Sequence, residues 1–122
     1  MASKKMVSPH FSLSEIECHC GCGQKKIDKK LIDMAEALRN YIGMPMITHC
    51  VNRCKFHNAR VGGVPSSQHI KGTAMDFHVK GMKNKKLHKL CKKLWKKKDI
   101  LIGGLGLYDW GVHIDSARYR RW

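Results

Sequence analysis

Three residues scattered along the chain carry side chains that together could bind a metal: His69, Asp76 and His113. His69 closes the run Ser67-Gln68-His69, Gly72 and Asp76 follow, and His113-Ile114-Asp115 comes well downstream. Two imidazoles and one carboxylate are a common ligand set for a catalytic zinc, and they leave the fourth tetrahedral position open. Zinc in such a site brings the pKa of its water to about 7, so that water can attack an amide carbonyl near neutral pH. The donors predict one Zn2+ per chain, although ligand type alone does not separate zinc from neighbouring divalent ions.

The elements around these residues have to bring them together. Residues 73–79 alternate as a strand, with Ala74, Asp76 and His78 on one face and Met75, Phe77 and Val79 on the other. Residues 104–109 and 111–115 read as two more strands, closed by a turn at Trp110-Gly111. On the last strand His113 and Asp115 share a face. Asp115 is then placed to orient an imidazole as an outer carboxylate. His78, on the face of Asp76, is a candidate for the same role or for touching substrate.

Helices frame these strands. Residues 28–42 set Leu31, Met34, Ala35, Leu38, Tyr41 and Ile42 on one face, with Asp28 as a cap and Gly43 as a stop. Residues 84–98 carry an apolar stripe of Leu87, Leu90, Cys91, Leu94 and Trp95 on a helix otherwise dominated by lysine. Ser12 and Glu15 have capping-box spacing for a short helix, residues 45–50 suit a strand, and 53–60 contain a helical turn. Residues 61–67, with Gly62, Gly63 and Pro65, read as a loop. Helices and short strands mix without a regular βαβ rhythm. The expectation is an α+β fold with a small antiparallel sheet flanked by helices.

A length of 122 residues fits a single domain over 1–122, with residues 1–9 as a loose, flexible basic tail. No run approaches the ~20 apolar residues that span a bilayer, and the polar first residues contain no apolar signal-peptide core. Synthesis in the cytoplasm without a signal peptide is therefore expected, with thiols mostly reduced. Lys+Arg number 24 against Asp+Glu 9, a formal net charge of +15. Such a field attracts polyanions: nucleic acid, anionic lipid or an anionic cell envelope. Aromatic residues interleaved with the basic ones, as single-strand binding requires, are missing, which argues against nucleic acid. The lysine-rich helix fits an envelope contact or a solvated face. The chain is expected to act as a monomer.

Cys18, Cys20 and Cys22, joined by Cys50 or Cys54, could hold a structural zinc. Their Cys-x-Cys-x-Cys spacing is not the Cys-x2-Cys of common zinc modules. Thiols packing a tight loop over 18–23 are the expectation.

The ordered motifs resemble the zinc D-Ala-D-Ala carboxypeptidase and phage endolysin family, peptidoglycan metallopeptidases that share a fold with hedgehog signalling domains. The resemblance runs through Phe11-Ser12-Leu13-Ser14-Glu15 with residues 18–23, then Arg53-Cys54 and His57-Asn58, then Val61-Gly62-Gly63. It continues through Ser66-Ser67-Gln68-His69, Gly72, Ala74 and Asp76 to Gly104-Leu105-Gly106-Leu107-Tyr108, Val112-His113-Ile114-Asp115 and a basic Arg-Trp end. The resemblance implies zinc ligands at His69, Asp76 and His113. It implies a substrate-binding arginine at Arg53, able to hold a carboxylate by a bidentate fork or to stabilise an oxyanion. It implies a substrate hydrogen bond from Ser67.

The general base is where the chain departs from the family pattern. Many relatives carry a carboxylate three residues before the last histidine, and here that residue is Trp110. Asp109, one residue earlier, becomes the expected base if the turn restores its aim, with Asp115 as the alternative. A one-step shift on a regular strand turns a side chain to the other face. The resemblance thus implies a zinc peptidase that hydrolyses peptidoglycan stem peptides, as a D-Ala-D-Ala carboxypeptidase or an endolysin-type endopeptidase acting at the bacterial cell wall. The alternative is a non-catalytic, zinc-containing module that binds wall or nucleic acid.

Overall fold

The computed structural model describes residues 5–122. A hairpin of β1 (Met6–Ser8) and β2 (Phe11–Ser12) leads into α1 (Leu13–Ile16). The Ser12 N–H donates to Glu15 Oε1 at 3.2 Å, the reach-back bond of the capping box. The strand at Met6–Ser8 corrects the expected loose tail over 1–9, and residues 1–4 of that tail lie outside the described residues. Side-chain anchoring explains the difference. Ser8 Oγ donates to Glu36 Oε2 at 2.8 Å and His10 N–H to the same oxygen at 2.9 Å, fastening the hairpin to the next helix.

That helix, α2 (Lys29–Ile42), buries Leu31, Met34, Ala35 and Leu38 as its periodicity predicts, whereas Tyr41 near its end is exposed. It stops at Gly43, whose φ of 72° is the left-handed conformation that glycine adopts without penalty. Then come β3 (Met46–Cys50), α3 (Lys55–Arg60), β4 (Ala74–Val79) and α4 (Asn84–Lys96). The chain ends with β5 (Gly104–Tyr108), β6 (Gly111–Asp115) and β7 (Arg120–Arg121).

The main sheet has five strands in the order β3-β4-β6-β5-β7. All pairs are antiparallel except β5 with the short β7, which run parallel. The fold is α+β, as expected. One sheet face is apolar: Met75, Phe77, Val79, Leu105, Val112 and Ile114 join the buried faces of α2 and α4 in a single core. Leu87, Cys91 and Leu94 of α4 enter that core, while Lys85, Lys86, Lys89, Lys92, Lys93 and Lys96 are exposed. The lysine-rich helix is therefore amphipathic in the ordinary sense, packed on one side and solvated on the other. The opposite sheet face carries the polar residues of β4, β5 and β6.

Candidate metal centre

Strand register brings the distant residues together. Asp76 of β4 pairs directly with His113 of β6, so their side chains project side by side from the face opposite the core. Asp76 Oδ1 lies 2.8 Å from His113 Nδ1, and Asp76 Oδ2 lies 2.9 Å from His69 Nε2. His69 arrives from the loop before β4. The His69 and His113 rings meet edge to face, their centroids 5.4 Å apart. All three residues are buried, and one donor atom from each lies within 4.8 Å of the others.

Each imidazole is anchored through its far nitrogen. The Val51 carbonyl lies 3.1 Å from His69 Nδ1 and can only accept, so Nδ1 carries the proton and Nε2 faces Asp76. Asp115 Oδ2 lies 2.8 Å from His113 Nε2, which leaves Nδ1 facing Asp76. Asp115 is itself fully buried. Its carboxylate accepts from the Gly104 N–H at 2.8 Å, the Ala117 N–H at 3.0 Å and Arg120 Nη2 at 3.2 Å. The absence of a side chain at Gly104 makes this possible, because a Cβ there would collide with the Asp115 carboxylate.

The electrostatics follow from this packing. Burial opposes charge on His69, but hydrogen bonds from its ring to Asp76 and Cys50 outweigh it and raise the pKa to about 10. Burial likewise opposes charge on Asp76, yet the two imidazoles hold it down to about 2. His113 is raised against burial by Asp115 and Asp76, and Asp115 is lowered against burial by His113 and the Gly104 N–H. Asp76 is thus ionised near neutral pH, and a metal at His69 Nε2 would displace the proton that the raised pKa holds there.

A cleft of about 780 Å³ opens over these residues. Arg53, Ser67, His69, Asp76 and His113 all line it. Arg53 follows the end of β3 and is half-buried. Its Nη1 donates to Asn58 Oδ1 at 3.0 Å and its Nη2 to Cys50 Sγ at 3.4 Å. No carboxylate pairs with it among the described residues, so its charge is uncompensated within the cleft. Ser67 Oγ accepts from the His69 N–H at 3.2 Å, which leaves the hydroxyl proton free to donate. A second hollow of about 670 Å³, between α2 and the segment after α4, shares no residue with this cleft.

One family model, Peptidase M15, matches residues 9–115. The chain belongs to the Peptidase M15 family. Neither a curated protein nor a solved structure matches it. Peptidases of this family are zinc-dependent metallopeptidases, and the donor set of His69, Asp76 and His113 fits that metal. Two imidazole nitrogens and a carboxylate converge, and the far nitrogen of each imidazole is held by an oxygen, as in protein zinc sites generally.

Two residues expected at this site lie elsewhere. Tyr108 pairs with Gly111, so Asp109 and Trp110 form a two-residue turn and the turn is not at Trp110-Gly111. Trp110 faces the cleft, whereas Asp109 is exposed and does not line it. The turn does not restore the aim that a proton-accepting Asp109 needs. Asp115, the alternative, is occupied on His113. His78 does not join His69, Asp76 and His113 either. It turns to His49, with 2.6 Å between His49 Nε2 and His78 Nδ1.

The sequence reading missed the aromatic wall of the cleft. Tyr108 and Trp110 stack in parallel at 4.8 Å between ring centroids. Trp122 donates from Nε1 to Tyr108 Oη at 3.0 Å and lies 5.0 Å from the His113 ring. Its ring covers Gly106, where a Cβ would strike the indole. The Gly104-Leu105-Gly106 alternation was the available signal, since both glycines sit on the site face of β5.

Proposed function

We propose that the protein is a zinc peptidase that hydrolyses the stem peptides of peptidoglycan at the His69–Asp76–His113 cleft. The observation that carries this reading is Asp76 held between two imidazoles whose far nitrogens are each tied to an oxygen. The Peptidase M15 membership supplies the substrate class.

His69, Asp76 and His113 would hold the metal. Zinc held there supplies Lewis acidity, polarising an amide carbonyl and a water molecule. Asp115 keeps His113 in one tautomer and orientation through Nε2. Arg53 offers a guanidinium without a carboxylate partner, suited to a peptide carboxylate or to the oxyanion that develops at the cut amide. Ser67 offers a hydroxyl donor to the peptide backbone. Tyr108 and Trp110 shield one side of the cleft from water. With Lys71, Arg118 and Arg120 also lining it, the cleft suits an anionic peptide.

The test is hydrolysis of purified peptidoglycan by zinc-loaded protein. Release of free D-alanine identifies a carboxypeptidase. New amino groups within the stem or cross-link identify an endolysin-type endopeptidase. His113→Ala should abolish either product while the chain stays folded. Activity retained in that variant would sink the reading.

One observation favours a second reading, a metal-binding relative that docks on the wall without cutting it. Among the described residues lining the cleft, Asp76 is the sole carboxylate, so no separate carboxylate faces the cut bond. Zinc-loaded protein that sediments with peptidoglycan and releases no product would establish this alternative.

A further inference from the structure

The loop between α1 and α2 has little of its own to hold it. Residues 17–28 form no helix or strand, and Cys18 is the one fully enclosed side chain among them. Loops of this length that lack an apolar core need another fastening. Here the loop carries three of the chain's six cysteines.

Those thiols converge on a fourth. Sulfur atoms of Cys18, Cys20, Cys22 and Cys54 lie within 4.8 Å of one another. Cys18 Sγ is 3.4 Å from Cys20 Sγ, and Cys20 Sγ is 3.6 Å from Cys54 Sγ. Four ligands about 2.3 Å from a tetrahedral zinc stand about 3.8 Å apart, close to these separations. A disulfide needs about 2.05 Å. Cys50, the other thiol considered from the sequence, lies beside Arg53 instead.

The backbone around the sulfurs is arranged for thiolates. The Cys54 N–H donates to Cys18 Sγ at 3.4 Å, the His57 N–H to Cys54 Sγ at 3.4 Å, and the Gln24 N–H to Cys22 Sγ at 3.5 Å. Hydrogen bonds to a charged acceptor favour its charged form. Packing alone does not account for the cluster, because Cys20 and Cys22 are exposed and fill no core space. The exposure of Cys20 and Cys22 goes against the expectation that the thiols pack a tight loop.

We infer that Cys18, Cys20, Cys22 and Cys54 form a second, structural zinc site, separate from the His69–Asp76–His113 centre. Four thiolates saturate a tetrahedral ion and leave no position for water, so the site fastens and does not catalyse. It clips the loop to the start of α3, where Cys54 is the N-cap. That point adjoins Arg53, whose carbonyl also accepts from Gln24 Nε2 at 3.3 Å. The metal therefore ties down the segment that presents Arg53 to the cleft. The inference rests on the sulfurs and their immediate surroundings and stands whether or not the cleft is catalytic.

The test uses the full chain purified under reductant, loaded with zinc and desalted. Elemental analysis should find about two zinc ions per chain in wild type, one for each four-coordinate site. His69→Ala/His113→Ala should lose the first ion and keep the second. X-ray absorption on that variant should show only sulfur neighbours, at about 2.3 Å. Cys20→Ser/Cys22→Ser replaces two exposed thiols, so the core is untouched, and should drop the wild-type content by half. If the histidine variant does not fold, this halving still decides the matter. A metal-free histidine variant that is folded, a sulfur-free metal shell, or an unchanged zinc content in the cysteine variant would each overturn the inference. So would disulfides among these cysteines, found by mass spectrometry under the same reducing conditions.

Discussion

The backbone N–H of Arg53 donates to the carbonyl of His69 at 3.1 Å. This bond ties the arginine segment to the loop that carries His69, so Arg53 and His69 enter the cleft from one corner. A guanidinium fixed in this way loses little freedom when it meets substrate. Arg53→Ala should leave zinc content unchanged and lower peptidoglycan hydrolysis by about 10²–10³-fold, the usual cost of removing one charge-stabilising donor. Arg53→Lys should recover only part of the loss, because an ammonium cannot make a bidentate fork. Elemental analysis beside a product assay decides it. An equal loss of zinc would move Arg53 from substrate binding to site integrity.

Asp115 reaches Asp76 and His69 only through His113. Asp115→Asn keeps the shape but leaves an amide, with one acceptor oxygen, where two now serve His113, Gly104, Ala117 and Arg120. Zinc affinity should fall about 10–100-fold, as for outer partners of zinc-bound histidines. Competition with a chelator of known affinity measures this. An unchanged affinity would show that the 2.8 Å contact contributes nothing to metal binding.

Asp109 provides a sharper contrast. A general base contributes typically about 10²–10⁴-fold to rate. The exposed turn position predicts instead that Asp109→Ala hydrolyses peptidoglycan at close to the wild-type rate. Trp110→Ala, which opens the cleft wall, should weaken substrate binding and raise KM more than it changes kcat. Steady-state rates on both variants test this pair. A loss in Asp109→Ala of the size of a base would return the role to that residue.

These three cases show what the sequence could and could not reveal. The gathering of His69, Asp76, His113, Arg53 and Ser67 in one cleft was legible because residue type, order and strand alternation constrain them together. The position of Asp109 outside the cleft was not legible, because its aim depends on which two residues form the β5–β6 turn. That choice follows from the pairing of Tyr108 with Gly111, which no local pattern states. His78 has the strand face expected of it, yet His49 from the bulged end of β3 captures it. The parallel β7 was invisible because two residues carry no periodicity. The cysteine cluster was half visible. Its spacing was plain, but Cys54 joins only when the loop folds onto α3.

The hairpin docked on α2 predicts a response to acid. Burial disfavours charge on Glu36, but hydrogen bonds from His10 and Ser8 outweigh it and set its pKa below the usual value. A carboxylate with a lowered folded pKa contributes stability that is present above its unfolded pKa of about 4.3. That contribution is lost as pH falls through the folded value. Unfolding in urea should therefore separate wild type from Glu36→Gln at about pH 7, with the midpoint of the variant lower. The two midpoints should converge as the pH falls through the folded value, below which the carboxyl is protonated in both states. The cause is local: Glu36 holds Ser8 and His10, so amide exchange in Met6–Ser8 should quicken in the variant while the core strand β6 stays protected. A separation of midpoints that persists in acid would mean that Glu36 acts through packing and not through its charge.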